Sequence, residues 1–200
     1  MHNPMIIKET NTGNQYYTVN DFLFNQRKLF LTDEVTSSVC TELIRQLMYL
    51  DSFDTDKEIT IYIDSPGGCV LNGLCLYDAI MNCKSKVTTF CIGQAASMAA
   101  VLFLAGSKRI MLPDSKLMYH DPSTFFGDSV TKVMDVKDRL EDLMNVRTRL
   151  AEIISDRSGN DIKTVYKLTA KDTYLTSEEA LKMGFASEIS TSKGENNYDD

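Results

Sequence analysis

Two hundred residues, 43% of them hydrophobic, suffice for one well-cored domain and are short for two. A formal net charge of -7 leaves no basic stripe to neutralise phosphates, which argues against nucleic-acid partners and against attraction to anionic membranes. Five cysteines, odd in number and without C-x-x-C spacing, fit a reducing, cytoplasmic compartment, and Met1–Tyr17 lacks the apolar centre of a secretory signal.

Met1 to about Tyr17 surrounds the small apolar patch Met5-Ile6-Ile7 with polar residues and predicts a flexible arm, with one folded domain over 18–190. Arg27 to Leu31 predicts a short strand. Thr32 or Asp33 then caps a helix whose apolar positions Val35, Val39, Leu43, Leu47 and Leu50 recur at helical spacing. Glu58 to Ile63 alternates and is rich in β-branched residues, so it predicts a strand that breaks at Ser65-Pro66-Gly67-Gly68 before a helix over 71–81. Val87 to Ile92 repeats the pattern and breaks at Gly93, ahead of a small-residue helix around Ser97. The most apolar stretch, Ala95–Ala105, is too short for a membrane span.

Arg109–Met111 and Lys116–Tyr119 predict further short strands. From Ser129 to Arg157 an apolar stripe of Val133, Val136, Leu140, Leu143, Leu150 and Ile154 predicts a long helix ending at Gly159. Short helices are expected over 161–167 and 177–183, the second opened by a serine, then a last strand within 185–189 and a disordered polar tail over 191–200. Repeated strand-helix alternation makes the fold class α/β.

Of the two histidines, His2 lies in the N-terminal arm, so any chemistry that needs an imidazole falls to His120. A lone histidine is more often structural. Ser97, within Gly93-Gln94-Ala95-Ala96-Ser97-Met98-Ala99-Ala100, changes that balance, because a serine hydroxyl becomes a nucleophile only beside a base, an orienting group and oxyanion donors. The Gly67-Gly68 pair supplies backbone free of side chains, suited to such donors or to pairing with a substrate chain. No P-loop lysine follows it and no G-x-G-x-x-G is present, which disfavours nucleotide binding. The third member of a triad stays open among 28 acidic side chains.

The ordered set Ser65-Pro66-Gly67-Gly68, Gly93-Gln94-Ala95-Ala96-Ser97-Met98, Met118-Tyr119-His120-Asp121-Pro122, Lys171-Asp172, Ser177-Glu178-Glu179-Ala180 and Gly184 resembles the proteolytic subunits of Clp protease. The likeness runs from about Met5 to Ile189. It implies a crotonase-like α/β core with a protruding handle helix at about 123–157. It also implies a serine peptidase with nucleophile Ser97, base His120 and orienting acid Asp172, the backbone N–H groups of Gly68 and Met98 forming the oxyanion hole. The same likeness implies two stacked heptameric rings, homomeric or mixed with a paralogous subunit, whose axial pore is gated by the N-terminal arm. The implied substrates are unfolded proteins fed by an ATP-driven AAA+ unfoldase; no metal or cofactor is expected in this subunit.

Three segments depart from the family pattern. Ser123-Thr124-Phe125-Phe126-Gly127-Asp128 replaces a glycine-rich segment, Ala170-Lys171 stands where an acidic residue and an arginine usually precede the catalytic aspartate, and Thr60 and Asn82 replace aromatic docking positions, leaving Tyr62. Lysine does not reproduce the bidentate fork of arginine. These departures resemble a divergent paralogue and raise a second expectation, a ring subunit active only beside another copy type. A third, an acyl-CoA enzyme of the related crotonase fold, is opposed by the set Ser97, His120 and Asp172.

Overall fold

The computed structural model describes residues 4–123 and 132–190. The expectations for Phe125-Phe126 and for the tail over 191–200 lie outside the described residues. Met5–Thr10 (β1) and Gly13–Thr18 (β2) pair as an antiparallel hairpin around the two-residue loop Asn11-Thr12, where composition had predicted a flexible arm. Their strands are mostly exposed, and apolar Met5-Ile6-Ile7 run together rather than alternating, so no strand period marks them in the sequence. Helix α1, Val19–Asn25, follows under a capping box in which Thr18 and Asp21 exchange hydrogen bonds.

The central sheet runs in the order Lys28–Leu31 (β3), Ile59–Ser65 (β4), Val87–Ala96 (β5), Lys108–Met111 (β6) and Glu188–Ile189 (β9), all parallel. β5 does not stop at Gly93 as predicted. Its first half, Thr88–Cys91, pairs with β6, and its second half, Gln94–Ala96, pairs with Lys116–Tyr119 (β7) instead. Gly93 sits at this change of neighbour because a Cβ there would stand 2.5 Å from the Asp64 carboxylate, which accepts the Gln94 N–H at 2.9 Å.

The helix after β3 begins later than its predicted cap. Helix α2 is Ser37–Phe53, capped by Thr36, and buries Cys40, Leu43, Leu47 and Leu50 at helical spacing. Residues 33–35 are committed elsewhere: Ser65 Oγ donates to the Asp33 carbonyl at 2.6 Å, Val35 N–H to Gly67 O at 2.8 Å, and Cys69 N–H to Val35 O at 2.8 Å. Val35 therefore leaves the predicted helical face and pairs with Gly68.

Helix α4, Met98–Leu104, packs on β4 and β5, and helix α3, Val70–Asn82, packs against α2 and α4. Every residue of α4 is buried, as a helix apolar on all sides must be. Each of its large side chains contributes roughly 1.5–3 kcal/mol by leaving water. Helix α5, Val133–Ser158, buries only Leu150, Ala151, Ile153 and Ile154 near its end, while Val133 is 83% exposed. It stops at Gly159, whose φ of 76° suits glycine. Arg157, one residue before the end of α5, donates to the carbonyls of Leu104 and Gly106, both at 2.8 Å, and so ties α5 to the C-terminal end of α4.

Ile162–Thr169 (α6), Thr173–Thr176 (β8) and Ser177–Lys182 (α7) complete the chain before β9. β8 was not foreseen. The cap of α7 is Thr176, in a capping box with Glu179, while the predicted Ser177 instead donates its hydroxyl to Pro113 O at 2.6 Å.

Candidate active site

Ser97 lies at the hinge between β5 and α4, with φ 54° and ψ -124°. A non-glycine residue there carries strain of order 1–3 kcal/mol, held only where its surroundings over-determine it. They do so here: Ser97 N–H donates to Met118 O of β7 at 2.8 Å, and its carbonyl accepts the Ala100 N–H at 3.0 Å. Gly67 presses on the same turn. A Cβ at Gly67, whose φ is +90°, would collide with the Ala96 carbonyl and stand 2.8 Å from Ser97 Cβ.

Two strand registers bring the remaining side chains in. In the β5–β7 pair Ala96 lies opposite Met118, so Ser97 and His120 leave their strands side by side, and His120 Nε2 is 2.8 Å from Ser97 Oγ. β7 and β8 run antiparallel with Tyr119 opposite Thr173. The residue after Tyr119 is His120 and the residue before Thr173 is Asp172, so the register alone makes them neighbours.

Asp172 Oδ1 lies 3.9 Å from His120 Nδ1, outside hydrogen-bond reach, and its side chain is 68% exposed against 27% for His120. Serine and imidazole are joined; the carboxylate stands beside them at ion-pair distance. The floor beneath them is held by Tyr119, whose hydroxyl donates to Ala100 O at 3.2 Å and whose full burial raises its pKa well above the usual phenol value.

Met98 N lies 2.9 Å from where a Gly67 Cβ would stand, and Gly68 follows Gly67 directly. Among the described residues neither N–H donates to a protein acceptor, while the flanking Gly67 O and Cys69 N–H are both consumed by Val35. Beside Ser97 and His120 opens a small pocket whose apolar lining includes Val70, Met98, Val101, Leu150 and Ile154. No group of three or more metal-ligating side chains is found among the described residues.

A family model for Clp protease matches residues 11–193. The chain belongs to the Clp protease family. Its mixed α/β architecture is the crotonase-like fold of that family, and the family carries serine-peptidase chemistry. Among the described residues no helix is long and apolar enough to cross a membrane. What sequence reading missed at this Clp-family site is the supporting layer. Val35 carried a helical signal that misassigned it, and Gly67 was read as open backbone for donors or substrate, not as packing against Ser97. The acidic side chain of Asp121 gave no sign of its partners on distant elements.

Proposed function

We propose that this chain is a serine endopeptidase of the Clp type in which Ser97 is the nucleophile, His120 the general base and Asp172 the orienting acid. The observation that carries the reading is the 2.8 Å approach of His120 Nε2 to Ser97 Oγ at a strained strand-to-helix hinge. His120 Nε2 takes the Ser97 hydroxyl proton as Oγ attacks the scissile carbonyl. The tetrahedral oxyanion accepts hydrogen bonds from Gly68 and Met98 N–H, and the proton passes from His120 to the leaving amine. Water then hydrolyses the acyl-enzyme by the same route.

Stacked heptameric rings, unfolded substrates delivered by an ATP-driven AAA+ unfoldase and a cytoplasmic setting belong to the same proposal. The exposed apolar residues Val133, Met134 and Leu140 of α5 support association of this helix with another copy. On the opposite end of the sheet, Phe30, Tyr62 and Phe90 stack at 5.2 and 5.4 Å between centroids, leaving an aromatic row for a partner despite Thr60 and Asn82.

A second reading is favoured by one observation. Asp172 is exposed and stops short of hydrogen bonding His120, as expected of a triad completed only in an assembly. In that reading the chain is a conditionally active ring subunit beside a paralogous proteolytic subunit. A fluorophosphonate probe distinguishes the two: labelling of Ser97 in the homogeneous protein supports an autonomous peptidase, and labelling only in the mixture supports the paralogue. Absence of labelling in both, or labelling that persists in Ser97→Ala, would defeat the proposed nucleophile.

A further inference from the structure

Directly after His120, Asp121 gathers three elements onto the site. Its Oδ2 accepts the Arg147 Nε–H of α5 at 2.8 Å, its Oδ1 accepts the Thr169 hydroxyl of α6 at 2.6 Å, and its own N–H donates to the Thr169 carbonyl at 2.6 Å. Arg147 also lies over the Tyr166 ring of α6, 4.4 Å from its centroid. The Arg147–Asp121 pair is about two-thirds shielded from water, with side chains 28% and 33% exposed. It is thus better held than the open surface pairs, whose contribution is small.

The position of this cluster decides its role. Thr169 ends α6, and Asp172 follows three residues later in the turn into β8. His120 and Asp172 are set against each other by the Tyr119–Thr173 register on one side, and by the double attachment of Asp121 to Thr169 on the other. Nothing else among the described hydrogen bonds spans from the His120 loop to the end of α6. Ala170-Lys171 adds no described ion pair at the turn.

We propose that Asp121 is a positioning residue for the peptidase reaction: clamped by Arg147 and Thr169, it sets the distance and direction between His120 and Asp172. The proposal rests on the reading of Ser97, His120 and Asp172 given above. Asp121 touches none of the reacting atoms; it acts through the backbone that carries the base and through the turn that carries the acid. A displacement of about 1 Å at such a site costs up to about 100-fold in rate without altering substrate binding.

The test uses the full chain, alone or in the mixed assembly in which Ser97 labels, with Asp121→Asn and Arg147→Met compared on a short peptide substrate. The two substitutions remove charges of opposite sign, so a direct field on His120 predicts opposite shifts in the acid limb of the rate profile. Loss of position predicts the same shift in both. His120, further from Asp172, becomes less basic, and the acid limb moves to lower pH in each variant.

We expect kcat to fall about 10- to 100-fold in both, with KM within about twofold and slower fluorophosphonate labelling of Ser97. Should either variant fail to melt cooperatively, Thr169→Val, which removes one bond to Asp121 at constant volume, is judged by the same readouts. Native kcat in the variants, or acid limbs that move in opposite directions, overturns the clamp while leaving the triad standing. A native chain unlabelled at Ser97 in every assembly overturns the triad reading itself, a result recognisable before any variant is made.

Discussion

Ser97 and Asp172 belong to the same proposed triad but inhabit opposite kinds of surroundings. Ser97 is held by β7 through its N–H, by α4 through its carbonyl and by Gly67 through direct packing, next to a helix with no exposed residue. Asp172 occupies a surface turn, 68% exposed, with its carboxylate 3.9 Å from the imidazole. The contrast teaches that a single chain over-determines the nucleophile and base but leaves the acid to weaker restraints. A preorganised site needs both.

The largest expected effect lies on the rigid side. Ser97→Ala and His120→Ala each abolish peptide hydrolysis with a melting temperature close to that of the native chain, since neither deletes core volume; measurable native turnover in either variant breaks the assignment. On the loose side, Asp172→Asn lowers kcat by on the order of 10^3- to 10^4-fold in an assembled enzyme, the size expected when an imidazole loses its orienting carboxylate. In dissociated chains the same substitution has an effect below about tenfold, because the native contact is already long. Equal losses in both states erase the contrast.

Gly67→Ala attacks the packing that holds Ser97. A side chain at a φ of +90° against the Ala96 carbonyl costs roughly 1–3 kcal/mol and about 100-fold in activity, read as a lower melting temperature together with slower labelling of Ser97. Asp51 supplies the control, a carboxylate satisfied within one chain. It accepts the Ser85 N–H at 2.7 Å and the Lys84 N–H at 3.2 Å, and these bonds, that of Ser85 foremost, lower its pKa below 3.8. Because the folded pKa is the lower one, the stabilisation is complete above 3.8 and disappears as pH falls through the folded value. Asp51→Asn should therefore lower the melting temperature by about 2–4 °C at neutral pH, by progressively less as pH falls below 3.8, and leave peptidase activity unchanged.

Sequence periodicity located the parallel strands, the helices α2, α3 and α5, and the stop at Gly159, because these signals are local and repeat. It failed where backbone pairing at long range competes with propensity. Val35 reads as helix but is drawn into pairing with Gly68, Gly93 reads as a break but is crossed by β5, and β8 gains its identity only from β7. In the exposed hairpin of β1 and β2 the apolar run Met5-Ile6-Ile7 does not alternate, so it carries no strand period. At the site, Ser97 and His120 were nominated by their residue types. Asp172 came from family likeness, since choosing one carboxylate among many requires the β7–β8 register, which no spacing in the sequence reveals.

That register has an evolutionary consequence. Tyr119 and Thr173 are locked opposite each other, so the proximity of His120 and Asp172 depends on each residue's offset from its own strand and is indifferent to the length of chain between them. Insertions and deletions within that intervening stretch are neutral for the pair as long as both strands still dock and Arg147 and Thr169 still reach Asp121. A single residue inserted between Asp172 and Thr173, by contrast, changes the offset and turns the carboxylate to the other face of the sheet. Homologues of very different length can thus share one site, while the two-residue junction at the start of β8 admits no variation in length.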